Sequence, residues 1–271
     1  MKYILILLSL FGLMNCQKSQ VRSSNESDPS SQTEQELSLI PKKETTDTSF
    51  LNIQYLYGKF DPATHPDFSI IPENMTDRDQ TYYLRKDALE AFIKMQEHAQ
   101  KDGIELLIIS ATRPFNHQKR IWEAKWFGQR TVSGMNLSKS IPDPIQRAKK
   151  ILEYSSMPGT SRHHWGTDID INALENSYFT SGKGLKEYNW LTENAPQYGY
   201  CQVYTKKGEQ RPSGYNMEKW HWSYLPVAAA LTNFAKEHTK NNQISGFAGD
   251  QTAEEIDILG NYILGIAPEC K

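Results

Sequence analysis

The sequence predicts an α+β fold in which a small sheet is flanked by helices. Long stretches repeat apolar residues every three or four positions, as a helix burying one face must. Shorter segments alternate with period two or form brief apolar runs, the signature of strands. Residues 55–68 are aromatic and interrupted by Pro62 and Pro66, which predicts extended chain and turns. Over 83–101, Leu84, Ala88, Phe92, Met95 and Ala99 recur at helical spacing, and Asp102-Gly103 ends that helix. The apolar run 104–110 has the length of a buried strand. Residues 116–127 predict a second helix and 142–154 a third, with Pro142 in a first turn where its missing N–H costs nothing. Pro158-Gly159-Thr160 predicts a turn.

Thr167, Ile169 and Ile171 alternate with Asp168, Asp170 and Asn172. This predicts a strand over 167–172 with isoleucines in the core and carboxylates facing a cleft. Residues 185–198 include a helix ending before Gly199. Over 219–224, Trp220, Trp222 and Tyr224 share one strand face and His221 and Ser223 the other. Two C-terminal helices are expected over 226–237 and 253–264. Pro226 opens the first, and Thr252 caps the second ahead of Glu254 and Glu255. No internal repeat is present.

The first residues are not read as part of this core. Lys2 precedes an apolar run that stops at Asn15-Cys16, too short to span a bilayer. Leu13-Met14-Asn15-Cys16 resembles a bacterial lipobox, with Asn15 in place of the usual small residue. That resemblance implies that residues 1–15 are a lipoprotein signal peptide and that Cys16 carries a diacylglyceryl group. The alternative is an ordinary signal peptide with an incidental cysteine. Residues 16–49 then form the lipidated cysteine and a polar tether without aromatics before Phe50, unable to bury enough apolar surface to offset chain entropy. Such an anchor places the remaining domain, residues 50–271, in the bacterial cell envelope, periplasmic or on the outer surface. At about 220 residues it suits one domain with a full core.

Thirty Lys and Arg against 32 Asp and Glu give a net charge of −2. Neither a basic patch for nucleic acid nor a polybasic block for anionic lipid is present. In an exported chain Cys201 and Cys270 can form a disulfide or stay as two thiols, and the sequence leaves that open. It also leaves open the oligomeric state.

Two segments carry the chemistry: Ser161-Arg162-His163-His164-Trp165-Gly166-Thr167-Asp168-Ile169-Asp170 and Glu218-Lys219-Trp220-His221-Trp222. His163, Asp170 and His221 can supply three metal ligands and Glu218 a general base. Three protein ligands leave a fourth zinc position for water, which separates a catalytic site from a closed structural one. Two His and one Asp suit zinc without excluding other divalent ions. Asp168 and Asp170 share a strand face, and carboxylates that close favour protonation of one unless a cation neutralises them. Glu218 lies three residues before His221, so a regular strand would point them apart. The chain must bend there, and Ser213-Gly214 upstream offers a turn.

These segments resemble the zinc D-alanyl-D-alanine carboxypeptidases of the VanY type, whose motif reads Ser-x-His-x-x-Gly-x-Ala-x-Asp followed by Glu-x-x-His. Ser161, His163, Gly166, Asp170, Glu218 and His221 fall on its positions. Ser110-Ala111-Thr112-Arg113 and Gln118 lie near a family Arg-and-Gln segment, so the resemblance covers residues 83–225. It implies a hedgehog/DD-peptidase-like zinc peptidase fold with an antiparallel sheet and one zinc ion per chain. His163, Asp170 and His221 become the ligands and Glu218 the base. Arg113, with Gln118 and Ser161, would bind substrate, and Arg113 would also stabilise the oxyanion. The implied substrate is a peptidoglycan stem peptide, with loss of a terminal D-alanine. An L,D-carboxypeptidase, a crosslink endopeptidase and a non-catalytic wall-binding lipoprotein remain as alternatives. Specificity would lie in loops such as 128–140 and 200–214.

The chain departs from the motif at Asp168, where the family has Ala, and at Pro114, where a small polar residue is usual. Asp168 is expected beside a ligand histidine, orienting it, or in competition with Asp170 for the metal. His164 is read as structural or cleft-lining, because the spacing to Gly166 and Asp170 selects His163. Among the aromatics, Trp165 is the candidate wall of a substrate cleft.

Overall fold

A computed structural model describes residues 48–77 and 80–271. The leader, Cys16 and the tether to residue 47 lie outside the described residues. Helix α1 (Ile53–Leu56) starts where the Asn52 side chain accepts from the Tyr55 N–H. Strands β1 (Phe68–Ile70) and β2 (Tyr83–Arg85) pair antiparallel, and α2 (Lys86–Lys101) follows at once. Next come β3 (Ile108–Ser110), α3 (Phe115–Trp126), α4 (Leu137–Ser140) and α5 (Pro144–Ile151). The second half holds β4 (Asp168–Ile171), α6 (Gly182–Asn194), β5 (Tyr200–Gln202), β6 (His221–Tyr224), α7 (Leu225–His238) and α8 (Ala253–Ile256).

A four-stranded antiparallel sheet of order β3-β4-β6-β5 positions the site. At its centre Asp168 pairs with Ser223, Ile169 with Trp222, and Asp170 with His221. Period-two alternation thus gives the central strands two unlike faces. Ile169, Ile171 and Trp222 enter a core with Leu89, Phe92 and Met95 of α2. Asp168, Asp170, His221 and Ser223 occupy the other face. A separate apolar cluster joins Val227 and Leu231 of α7 to Trp122 and Trp126 of α3 and Ile151 of α5. Among the described residues no helix is long and apolar enough to cross a membrane.

The mixed helix-and-sheet class and the antiparallel sheet are as the sequence led one to expect; several element bounds are not. The helix expected over 83–101 begins at Lys86, because Tyr83–Arg85 pair with β1. The strand expected over 104–110 is reduced to Ile108–Ser110. The Asn172 side chain takes the place of a ladder partner below it, accepting from Leu107 N and donating to Glu105 O. Pro144, not Pro142, opens α5, capped by Asp143, which accepts from Gln146 N. The expected helix over 253–264 breaks after Ile256, where Asp257 takes φ +52°, and only a five-residue turn, Leu259–Ile263, follows. The Thr252 hydroxyl donates to Gly249 O instead of capping. β5 had no sequence expectation. The strand expected from Lys219 starts at His221, because Lys219 and Trp220 form a turn.

Cys201 and Cys270 are joined in a disulfide that ties β5 to the chain's last residues across a separation of 69. Closing a loop of that length removes conformational freedom from the unfolded chain. Replacing both cysteines by serine is expected to lower the unfolding free energy by about 2–4 kcal/mol in urea titrations. An unchanged midpoint would show that the crosslink does not stabilise the fold.

Candidate metal centre

Three backbone devices bring the polar residues to one place. A single 3-10 turn, Arg162–Trp165, ends at Gly166 with φ +70°. A Cβ there would lie 2.3 Å from the Phe68 ring, so only glycine fits. This turn presents His163 just before β4 brings Asp170 alongside His221. The third device supplies the bend that Glu218 needs. His221 N donates to Glu218 O, closing a turn with Lys219 and Trp220 at its corner, so both ends of the turn face the same way. The bend lies at Lys219-Trp220; Ser213-Gly214 also bends upstream of it, with Gly214 at φ +89°. Glu218 N donates to Tyr204 O and Gln202 Nε2 donates to Glu218 O, which hold the turn against β5 and the segment after it.

The nitrogen partners fix which histidine atoms are free. A carbonyl only accepts, so His163 Nδ1 donates to Ala111 O at 2.8 Å and its Nε2 is left with a lone pair. That Nε2 lies 3.4 Å from Asp170 Oδ1. His221 Nε2 donates to Asp168 Oδ2 at 2.8 Å, and its Nδ1 lies 3.2 Å from Asp170 Oδ1 and 3.5 Å from Glu218 Oε2. His163, Asp170 and His221 are all buried, with ligand atoms within 4.8 Å of one another. His163 Nε2 and Asp170 Oδ1 lack a hydrogen-bond partner. Tetrahedral ligands about 2.0 Å from zinc stand about 3.3 Å apart. Donor atoms facing one another at that spacing fit a shared cation better than they fit hydrogen bonds to each other.

Charge in this pocket follows from burial and neighbours. Burial alone would raise Asp170, but His163 and His221 hold its carboxyl well below the usual range. Burial works against a proton on His221, yet the hydrogen bond to Asp168 and the nearby charges of Asp168 and Asp170 raise it to about 9. Burial and then Arg113 lower His163, against the pull of Asp170. Burial pushes Glu218 up to about 8 against the opposing charge of His221, with Asp170 adding to the rise.

Asp168 is fully buried and accepts from four side chains: Arg162 Nε at 3.0 Å, Thr167 Oγ1 at 2.7 Å, Ser223 Oγ at 2.6 Å and His221 Nε2. Arg162 passes its other donors to Thr232 Oγ1 and Ser223 Oγ and stacks 4.5 Å over the Trp165 ring. Asp168 therefore sits behind His221, with both carboxylate oxygens engaged. His164 spends both ring nitrogens on backbone. Its Nδ1 donates to Arg113 O and its Nε2 accepts from Gly159 N. Burial drives it down to about 3 against the Arg113 carbonyl, which keeps the ring neutral.

These groups open on a cleft of about 890 Å³ that Arg113, Gln118, Ser161 and Glu218 also line. Arg113 Nε, Gln118 Oε1 and Ser161 Oγ are buried there without partners, while Gln118 Nε2 donates to Ser156 O. Trp165 is not a cleft wall. It is 2% exposed in the core and donates to Leu56 O, so Tyr154, Tyr204, Tyr215 and Trp220 supply the aromatic lining instead. Sequence reasoning missed Arg162, Ser223 and Thr232. Ser223 reaches Asp168 across 55 residues and Thr232 reaches Arg162 across 70, so the network leaves no local pattern.

Two histidines and one carboxylate beside a glutamate in an open cleft are a donor set of the kind that catalytic metal sites use. The chain belongs to the VanY family of D-alanyl-D-alanine carboxypeptidases, whose model matches residues 81–227, more than half of its length. It is 28% identical over 188 residues to YodJ of Bacillus subtilis, a carboxypeptidase by name, covering 67% of this chain and 61% of that protein. It is also similar to the solved LdcB LD-carboxypeptidase, at 22% identity and a TM-score of 0.48, over 73% of this chain and 80% of the other. A VanY D,D-pentapeptidase mutant solved with Zn(II) is similar at 20% identity and a TM-score of 0.43, over 68% and 93% of the two chains.

Asp168→Ala would leave the buried Arg162 guanidinium without its counter-charge. A stability loss of about 3–5 kcal/mol is expected in urea denaturation. A variant as stable as the parent would show that the ion pair does not hold the site together.

Proposed function

We propose that this protein is an exported zinc carboxypeptidase that removes the terminal D-alanine from peptidoglycan stem peptides. The supporting observation is the pair of unpartnered atoms, His163 Nε2 and Asp170 Oδ1, facing each other beside His221 Nδ1 with the Glu218 carboxylate at the rim of the group. His163, Asp170 and His221 would hold one zinc ion per chain. Bound there, zinc would supply Lewis acidity to the scissile carbonyl and lower the pKa of a water.

The chain's own residues do the rest. Glu218 takes a proton from the attacking water and delivers it to the leaving amine. Arg113, lining the same cleft, offers a guanidinium to the oxygen that gains charge or to the terminal carboxylate. Its position is set from behind, because Arg113 N donates to His163 O and Arg113 O accepts from His164. Asp168 orients His221 by accepting from Nε2, so that Nδ1 faces Asp170 and Glu218, where it would be free to hold zinc. Gln118 Oε1 and Ser161 Oγ are available to substrate amides. The leader and Cys16 support a lipid-anchored location at the cell envelope, with the tether joining anchor to domain.

The same machinery would serve an L,D-carboxypeptidase or a crosslink endopeptidase, and product masses from digested sacculi separate these from the D,D reading. The central test is a stem pentapeptide incubated with the zinc-loaded protein. Release of D-alanine is expected. With Glu218→Ala, turnover should fall by at least about a thousandfold, at least about 4 kcal/mol of barrier, while elemental analysis still finds one zinc. His221→Ala should lose the metal as well. No release from any stem peptide by zinc-loaded parent protein would sink the peptidase reading; retained wall binding alone would point to a non-catalytic module.

A further inference from the structure

The cleft carries more positive charge than hydrolysis at the metal requires. Arg113, Lys125 and Arg130 all line it, and none forms an ion pair among the described residues. Lys125 lies in the last turn of α3, and Arg130 is set by its N–H, which donates to Ala124 O. Lys125 Nζ is half-buried and held by the Ser155 hydroxyl, a neutral partner. Burial, Arg130 and Arg113 together push its ammonium down to about 8, with Glu218 pulling the other way. The carboxylates on this cleft are Asp170 and Glu218 at the candidate metal centre and the exposed Glu175. Glu218 itself is pulled down by both Arg113 and Lys125, so the cations lie within electrostatic reach of the reacting centre.

Like charges gathered in one cleft without an ion-pair partner repel each other, and the partly buried Lys125 also loses hydration while Arg130 stays exposed; a bound anion offsets that cost. Arg113 is already assigned to the reacting carboxyl end. We propose that Lys125 and Arg130 form a second anion subsite that binds a side-chain carboxylate of the peptide, N-terminal to the scissile bond. This rests on the peptidase reading above and adds the substrate class: a stem peptide carrying an acidic residue upstream of its terminal D-alanine. A carboxylate there accepts charge-assisted bonds from the ammonium and the guanidinium. Its neutral amide isostere would leave both cations without an anionic partner. Sites built to bind a group reject the analogue that lacks it.

The test uses the zinc-loaded full chain and two pairs of Nα-acetyl peptides ending in D-Ala-D-Ala. In one pair the preceding residue is glutamate or glutamine; in the other the same exchange is one residue further upstream. At one of these positions the glutamate peptide is expected to show a kcat/KM at least about tenfold above its glutamine partner, a charge-assisted bond's worth. In Lys125→Met and Arg130→Gln that ratio should fall toward one. Lys94→Met, on the exposed side of α2 outside the cleft, should keep it. A ratio of one at both positions in the parent, or a ratio that survives both substitutions, overturns the subsite. So does loss of turnover on all four peptides in Lys125→Met with an unchanged ratio of affinities, which would place Lys125 on the terminal carboxylate. If the parent cleaves none of the peptides, calorimetric affinities of each pair for the zinc-loaded Glu218→Ala protein still give the ratio. The peptidase reading then fails separately from the subsite.

Discussion

Everything at the centre of this protein is arranged around one carboxylate. Asp168 sits where no water reaches it, and an unpaired charge there would be too costly for the fold to carry. Its neutralisation recruits four donors from three places: Arg162 in the 3-10 turn, Thr167 just before β4, and His221 and Ser223 on β6. Through Arg162 the network reaches Thr232 on α7. The 3-10 turn, the central strand pair and the following helix are thereby locked together by polar bonds that break if any one of them shifts.

The candidate metal donors inherit their precision from this lock. The turn that contributes Arg162 also presents His163, and the strand position beside Ser223 presents His221. The two histidines are held differently. His163 leans on the Ala111 carbonyl, a neutral acceptor, whereas His221 leans on a buried carboxylate. Burial and Arg113 lower the first, whereas Asp168 and Asp170 raise the second against its burial. His164, next in the chain, reinforces the same loop from its other side by clamping Arg113 and Gly159. Two adjacent histidines thus do separate work: one faces the cleft, and the other fixes the backbone that carries Arg113.

Much of the candidate site was legible from residue types and spacing. Asp168 and Asp170 had to share a face once a period-two strand was recognised, and His221 had to leave its strand opposite Trp222. The need for a bend at Glu218 was legible too, because three residues of strand would have sent it the wrong way. Its means was not: a turn closed between Glu218 and His221 depends on contacts from Tyr204 and Gln202, on chain that carried no strand signal. Helical spacing at Leu84 was misleading, since burial against α2 looks the same in a short strand that pairs with β1.

Local chemistry in the chain therefore determined the α+β class, the alternating faces of β4 and β6, and the donor types at His163, Asp170, Glu218 and His221. These follow from periodicities and side-chain chemistry that act over a few residues. Tertiary structure alone decided that Cys201 meets Cys270, that Trp165 belongs to the core, and that Asp168 stands behind His221 on Arg162. It also decided that Lys125 and Arg130 line the same cleft as Arg113. Those outcomes depend on which buried charges and volumes must be matched across the folded chain, and such matching has no period to read along a sequence.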